Sequence, residues 1–243
     1  MEIKRFFAEK EDFDGKTVKI YGEEFMHMTK VLRHKVGYKI IVCLDDGKDY
    51  ECVLTRINSD FAVAEVEAVK ENDCKTKASV TLFQALPKGD KFDFIVQKCV
   101  ELGAEKIVPF LSRYTNESKF NLSRSKKIAI EACKQCGRSR RADIGELTDF
   151  DGMVKQLKDY DLIVMPYENA TCGKIGEIKG VKDAERIALI IGSEGGFCVE
   201  EADKIKNIGG EIISLGNRIL RCETASIVAL SLIMYETGEL QGI

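Results

Sequence analysis

Glu194, Arg221 and Glu223 are the side chains best placed for polar chemistry, because each lies in a glycine-bearing turn fed by an apolar run. The first turn is Ile191-Gly192-Ser193-Glu194-Gly195-Gly196-Phe197, after Arg186–Ile191. The second is Leu215-Gly216-Asn217-Arg218-Ile219-Leu220-Arg221-Cys222-Glu223-Thr224-Ala225, after the run 211–215. Both runs read as buried strands, and both turns lead into helical spacing. Open α/β sheets gather ligands where strands end and such turns begin. Backbone amides, carboxylates and guanidinium groups would then share one rim with the aliphatic pair Ile219-Leu220. Such a rim suits a polar ligand with an apolar part.

Three ligand classes can be weighed against the first turn. A dinucleotide calls for G-x-G-x-x-G and a triphosphate for the Walker lysine with Ser or Thr, and the chain has neither. Amides at a helix terminus attract phosphate, but a carboxylate at Glu194 repels it. A cationic adenosine ligand without phosphate removes that conflict. S-adenosylmethionine is one: ribose hydroxyls donate to carboxylates, the adenine edge meets backbone amides, and a sulfonium tolerates acidic neighbours. Alone, this turn also reads as a tight strand-to-helix connection with an exposed glutamate. The second turn weighs against that, since charged groups at the entry to a buried helix need partners. Its bland readings are a surface Arg218, a Glu223 favoured by the helix dipole, and an Arg221–Glu223 structural pair.

The elements that must hold these turns fall into two groups. Residues 1–72 read mainly as short strands, 17–21, 39–44, 50–57 and 61–69, separated by Asp45-Asp46-Gly47 and Asn58-Ser59-Asp60. One helix at about 23–34 places Phe25, Met28 and Leu32 on one face and Lys30 and Arg33 on another. A small β-barrel carrying a basic helix is expected. The polar stretch 70–77 marks the boundary. Residues 73–243 alternate strand and helix, the signature of a mostly parallel α/β sheet. Expected strands are 79–86, 106–110, 162–167, 186–191 and 211–215; expected helices are 91–102, 121–136, 199–207 and 224–235. The last helix is almost wholly apolar and must be covered all round, by the core or by a second subunit.

Composition sets the class. The 243 residues are 44% hydrophobic and 32% charged, as in a soluble globular protein. The apolar runs 187–191 and 227–230 are too short to span a bilayer, and residues 1–10 carry five charges, unlike a signal peptide. The cytoplasm is the expected location. Nine cysteines, an odd number, suit a reducing compartment better than a disulfide framework. Cys133-Lys134-Gln135-Cys136 has no second pair or nearby histidine to complete a zinc site, so no metal is expected. It lies inside a helical pattern, where two packing thiols are the simpler reading than a redox pair.

The net charge of −3 disfavours indiscriminate nucleic-acid binding, but its distribution does not. Seven basic residues and one acid lie between Arg124 and Arg141, and four basic residues with no acid between His27 and Lys39. Two basic islands on an acidic chain suggest local polyanion footprints, or solvated helix faces.

These residues together resemble the ribosomal small subunit methyltransferase E family of the SPOUT superfamily. The resemblance runs through Arg5-Phe6-Phe7, His27 with Val31-Leu32-Arg33 and Gly37, and Gln84-Ala85-Leu86-Pro87-Lys88-Gly89-Asp90-Lys91. It continues through Gln97-Lys98 with Glu101-Leu102-Gly103, then Glu131-Ala132-Cys133-Lys134-Gln135-Cys136-Gly137-Arg138, and ends on the two turns. It implies a C-terminal α/β trefoil-knot domain and an N-terminal PUA-like β-barrel that binds RNA. It also implies a homodimer and S-adenosylmethionine-dependent methylation of uridine N3 in 16S ribosomal RNA, within the small subunit. The cofactor would be cradled by Ile191, Gly192, Glu194, Gly195, Gly196, Leu215, Gly216, Ile219, Leu220, Arg221, Glu223, Thr224 and Ala225, with Met165-Pro166-Tyr167 as a third wall. The chain departs from the family at Ser193, usually proline, and at Cys222, where threonine is common. Cys198 replaces a serine, and because cysteine caps poorly, the box that Glu201 would complete is expected to be lost.

Loss of the N3 proton leaves charge on O2 and O4, for which a guanidinium is well shaped. Arg221 is the expected holder of that charge, with Glu223 and Glu194 as candidate bases. Arg5, Lys30, Arg33, Lys88, Gln135 and Arg138 are the expected RNA contacts. Rival readings are a methyltransferase for another RNA such as tRNA, a non-catalytic RNA-binding protein, and an ATP-dependent transferase.

Overall fold

The computed structural model describes residues 3–74, 76–170, 173 and 175–240. The chain forms two compact units, Met1–Lys75 with Cys133–Arg141, and Thr76–Ala132 with Ala142–Ile243.

The first unit is built on five strands, β1 (Lys4–Phe7), β2 (Thr17–Tyr21), β3 (Lys39–Cys43), β4 (Lys48–Ile57) and β5 (Phe61–Glu71), in the order β1-β3-β4-β5-β2. β1 runs parallel to β3; the other pairs are antiparallel. Strand alternation supplies the core, with Phe6, Val18, Ile20, Ile40, Val42, Leu54, Ala62 and Ala64 buried together. Register shifts at Glu51/Cys52 and Leu54/Arg56 bend the long β4–β5 pair.

The helix expected over 23–34 takes a different form. It is a short α1 (Gly22–Met26) continued by a π-turn, His27–Val31. The Thr29 hydroxyl donates back to the Phe25 carbonyl at 2.7 Å, a bond that competes with the regular ladder. Arg33 follows in the left-handed region at φ 55°. Phe25 and Met28 still reach the core, which leaves Lys30 and Arg33 outside.

The segment Cys133–Arg141, placed in the second domain by a division at residue 72, packs with the first unit. Polar bonds explain this. Asn72 Nδ2 donates to the Gly137 carbonyl at 2.9 Å, Ser139 donates to Asp49, and Arg141 pairs with Asp45.

In the second unit, β6 (Ser79–Ala85), β7 (Lys106–Leu111), β8 (Asp143–Ile144), β10 (Leu162–Pro166), β11 (Arg186–Ile191) and β12 (Glu211–Ile213) lie in the order β12-β10-β11-β6-β7-β8, with β9 (Thr148–Asp149) also against β7. All pairings are parallel. The helices are α2 (Lys91–Glu101), α3 (Leu122–Cys136, whose last turn from Cys133 belongs to the first unit), α4 (Phe150–Gln156), α5 (Val199–Asn207) and α6 (Cys222–Glu236). Phe83 and Ala85 of β6 join Phe110, Met165, Ala188, Ile190 and Phe197 in one core. The alternate residues Val80, Leu82 and Gln84 face the other way, where Ser226 of α6 donates to Gln84 at 2.6 Å. α6 buries Ser226, Ala229, Leu230, Ile233 and Met234, but Leu232 and Tyr235 on its other side remain 42% and 52% exposed. Among the described residues no helix is long and apolar enough to cross a membrane.

The topology itself picks out the site. β6 neighbours β7 on one side and β11 on the other, so the strand order switches there, and every strand ends on the same edge. Such a switch point is where open parallel sheets bind ligands.

Candidate active site

A cavity of about 1060 Å³ opens at that edge. Its wall takes Pro166, Tyr167 and Glu168 from the end of β10, residues 191–197 from the end of β11, and residues 214–222 with Ala225 from the end of β12 and the start of α6. The two glycine turns, distant in sequence, thus face one space. Of the residues expected there, Ile191, Gly192, Glu194, Gly195, Gly196, Leu215, Gly216, Ile219, Leu220 and Arg221 all line it. Met165 instead is fully buried in the sheet core. Glu223 and Thr224 lie in the first turn of α6, beside the wall rather than in it.

Each turn has a local reason for its shape. In the first, Gly196 N–H donates to the Ser193 carbonyl at 3.0 Å. Gly196 has φ 63°, and a Cβ there would strike the Glu168 carboxylate. A Cβ on Gly195 would sit 2.7 Å from Tyr114 Cβ. Gly195 is therefore required by space, and Gly196 by its left-handed backbone. In the second, Ser214 Oγ accepts from the Gly216 N–H at 3.1 Å, and Arg221 is the N-cap residue of α6. Ile219 is 90% exposed, an apolar side chain presented to the opening.

The two turns are also tied from beneath. Gln84 is fully buried. Its Nε2 donates to the Gly192 carbonyl at 3.1 Å and its Oε1 accepts from Ser226, whose hydroxyl also donates to the Cys222 carbonyl at 2.8 Å. One amide thereby couples the first turn to the start of α6. The capping box expected to be lost is present: Glu201 accepts from the Cys198 N–H at 3.1 Å, and the Cys198 sulfur faces the Glu201 backbone N–H. Glu201 also accepts from Arg113 N–H at 2.9 Å, so a carboxylate with two backbone donors holds the turn that a serine hydroxyl would otherwise help to hold.

Charge in the cavity is organised around Lys91, a residue to which sequence reasoning gave no role. Its Nζ donates to Glu194 Oε1 at 2.5 Å, and Glu194 also accepts from the Lys88 N–H at 3.1 Å. Burial pushes the Glu194 carboxyl up, but Lys91, its own amide and the Lys88 amide together leave it below its ordinary value. Glu223 behaves alike: burial raises it, while its own amide, Cys222, Lys91 and Arg221 bring it lower overall. Burial and the Glu223 hydrogen bond push the Cys222 thiol up to about 12, so it stays protonated. Both candidate bases are thus well-stabilised carboxylates. Ser193 Oγ is buried in the cavity wall without a hydrogen-bond partner among the described residues, an unmet need that a polar ligand atom would satisfy.

A family model described as an RNA methyltransferase domain matches residues 74–234, and one described as an RNA methyltransferase PUA domain matches residues 20–67. The ribosomal RNA small subunit methyltransferase E of Bacillus subtilis is 32% identical to this chain over 99% of both proteins. The chain belongs to the ribosomal RNA small subunit methyltransferase E family. The protein of that name from Buchnera aphidicola is 30% identical over 98% of this chain and 95% of its own. Among solved structures, the small subunit methyltransferase E of Neisseria gonorrhoeae bound to S-adenosyl methionine superposes with a TM-score of 0.85, at 27% identity over 96% of this chain and 98% of that one. A methyltransferase from Legionella pneumophila in complex with the same cofactor gives 0.87, at 27% identity over 97% and 98%. The fold is therefore of the SPOUT, α/β-knot class with a PUA-like N-terminal domain, as the resemblance implied.

The expected RNA contacts divide. Lys30, Arg33, Lys88 and Gln135 are exposed. Arg5 is engaged within the protein: it forms a two-pronged pair with Asp49, both bonds 2.6 Å, and its side chain is 15% exposed. Arg138 is 8% exposed and turned into the protein. The sequence motif marked both positions without saying which way they face.

Proposed function

We propose that this chain methylates N3 of a uridine in 16S ribosomal RNA of the small subunit, with S-adenosylmethionine as donor. The observation that carries the reading is the single cavity into which both glycine turns open. Its fit to the donor is physical. Ser193 Oγ lacks a partner, Glu168 beside Gly196 offers a carboxylate to ribose hydroxyls, backbone amides of the first turn suit the adenine edge, and Ile219 and Leu220 supply apolar cover. S-adenosylmethionine supplies a sulfonium methyl, so that N3–C forms as C–S breaks with its electron pair retained on sulfur and the N3 proton passing to water. Arg221, at the mouth and at the N-cap of α6, holds O2 or O4 of the uracil as that proton leaves. Arg221→Ala should lower turnover by roughly a hundredfold or more while calorimetric affinity for the donor changes only a few-fold. Unchanged turnover would remove Arg221 from the mechanism.

RNA is gripped through exposed cations of the first unit, Lys30 and Arg33, together with Lys88 and Gln135, and the target base is extruded to reach the cavity. The exposed pair Leu232 and Tyr235, on the uncovered side of α6, supports a homodimer. The protein would act in the cytoplasm, where the RNA is. Transfer of tritiated methyl groups to undermethylated 16S RNA, followed by nucleoside analysis, tests the whole reading: 3-methyluridine is expected, and labelled tRNA or another methylated base would overturn it.

A further inference from the structure

Lys91 is the first residue of α2, and it reaches the cavity from the end of β6, a strand that contributes neither glycine turn. An ammonium carries three N–H groups. One is spent on Glu194 at 2.5 Å, and Glu223 and Cys222 lie close enough to interact with its charge. Arg221 enters the same space from the start of α6. Three cations therefore line one cavity, Lys91, Arg218 and Arg221, and the role given to Arg221 uses only one of them.

We propose that Lys91 is a catalytic residue whose ammonium holds one carbonyl oxygen of the acceptor uracil while N3 loses its proton, with Arg221 holding the other. The proposal rests on the methyl-transfer reading above. Its physical motive is the engagement of the candidate bases: Glu194 accepts from Lys91 Nζ and the Lys88 N–H, and Glu223 accepts from Cys222 Sγ, so both carboxylates are already committed. Ionisation of N3 must then be driven by stabilising the anion, with the proton passing to water and the charge delocalised onto N3, O2 and O4. A compact ammonium can serve Glu194 and a second oxygen at once, since its donors are not fixed in a plane. The competing role is purely positional, with Lys91 pinning Glu194 and through it the first turn.

Fluorine resonance separates the two without methyl transfer. A 16S RNA fragment carrying 5-fluorouridine at the target is titrated with pH, free and bound to the full chain in the absence of donor. Bound to wild type, the fluorouracil should ionise at lower pH than in free RNA. Lys91→Met should abolish most of that displacement, about one pH unit or tenfold in the ionised fraction, and Lys91→Arg should keep most of it. In turnover of the natural fragment, Lys91→Met should lower kcat and move the pH profile upward with little change in KM for the donor, and the more acidic fluorouridine should recover part of the loss. A Lys91→Met complex that titrates like wild type, or one whose defect lies only in KM for the donor, overturns the proposal in favour of the pin. Wild-type protein that never methylates uridine N3 sinks the underlying reading, whereas wild type that does, beside an unaffected Lys91→Met, sinks Lys91 alone.

Discussion

Residues 27–39 and 124–141 carry nearly the same signature in the sequence, clusters of cations with at most one acid, yet the structure partners them differently. In the first cluster Lys30, Arg33 and Lys35 are exposed and make no ion pair among the described residues; Lys39 alone is paired, with Glu67 at 3.0 Å. In the second cluster Arg124 bonds Asp93 at 2.7 Å, Lys134 bonds Glu24 at 2.5 Å with a side chain 9% exposed, Arg138 is buried, and Arg141 bonds Asp45 and Glu9. The acids that answer the second cluster are remote in sequence, so a local count of charge cannot see them. One cluster leaves three cations exposed and without an ion pair among the described residues; the other commits Arg124, Lys134 and Arg141 to acids elsewhere in the chain and buries Arg138, while Lys126, Lys127 and Arg140 stay exposed.

The sharpest way to test that contrast is Arg5→Ala, which removes the guanidinium that shares Asp49 with Ser139 of the second cluster. Asp49 would keep Ser139 and Asn72 but lose its charged partner. A loss of about 2 kcal/mol is expected in denaturant unfolding. Stability unchanged, with RNA affinity lowered instead, would put Arg5 back among the RNA contacts. Next in size is Lys30→Glu with Arg33→Glu. Binding to 16S fragments should weaken roughly tenfold, with a salt dependence shallower by roughly one to two. The melting temperature should hold, and a fall in it would mean that this cluster is structural too. The smallest effect concerns pH. Burial pushes the Asp49 carboxyl up, but Arg5, Ser139 and Asn72 together bring it below its ordinary 3.8. A depressed carboxyl contributes stability that is present above the unfolded value and lost as pH falls through the folded one. Unfolding of wild type should therefore steepen on acidification below about pH 4, and that component should shrink in Arg5→Ala. Identical acid profiles for the two proteins would dissociate Asp49 from the network.

Much of the scaffold was legible because period and punctuation carried it. Val199–Asn207 is helical over the range its spacing predicts, and Arg186–Ile191 likewise as a strand. The two-residue strands β8 and β9 and the short α4 escaped, since elements of that length hold too few residues to display a period. The π-turn at His27–Val31 escaped because it differs from an α-helix by one residue in its hydrogen-bond spacing, as in the Leu32 N–H to His27 carbonyl bond, a difference that apolar spacing over five residues does not display. At the site, glycines announced the two turns, but Lys91, Glu168 and Gln84 did not announce themselves. For Lys91 and Glu168 the position after a strand end was the available signal, informative once the strand order is known; Gln84 lies within β6 and gave none.

What the sequence determined by itself is the local part: apolar alternation that makes strands, glycines that admit the tight turns, and motifs specific enough to imply a family. What the tertiary structure alone decided is which distant groups meet. Strand order brings Lys91 to Glu194 across 103 positions, and packing turns Arg5 inward onto Asp49 while leaving Arg33 in water. Charge acts through space over a few ångströms, and spacing along the chain fixes that distance only within a single element.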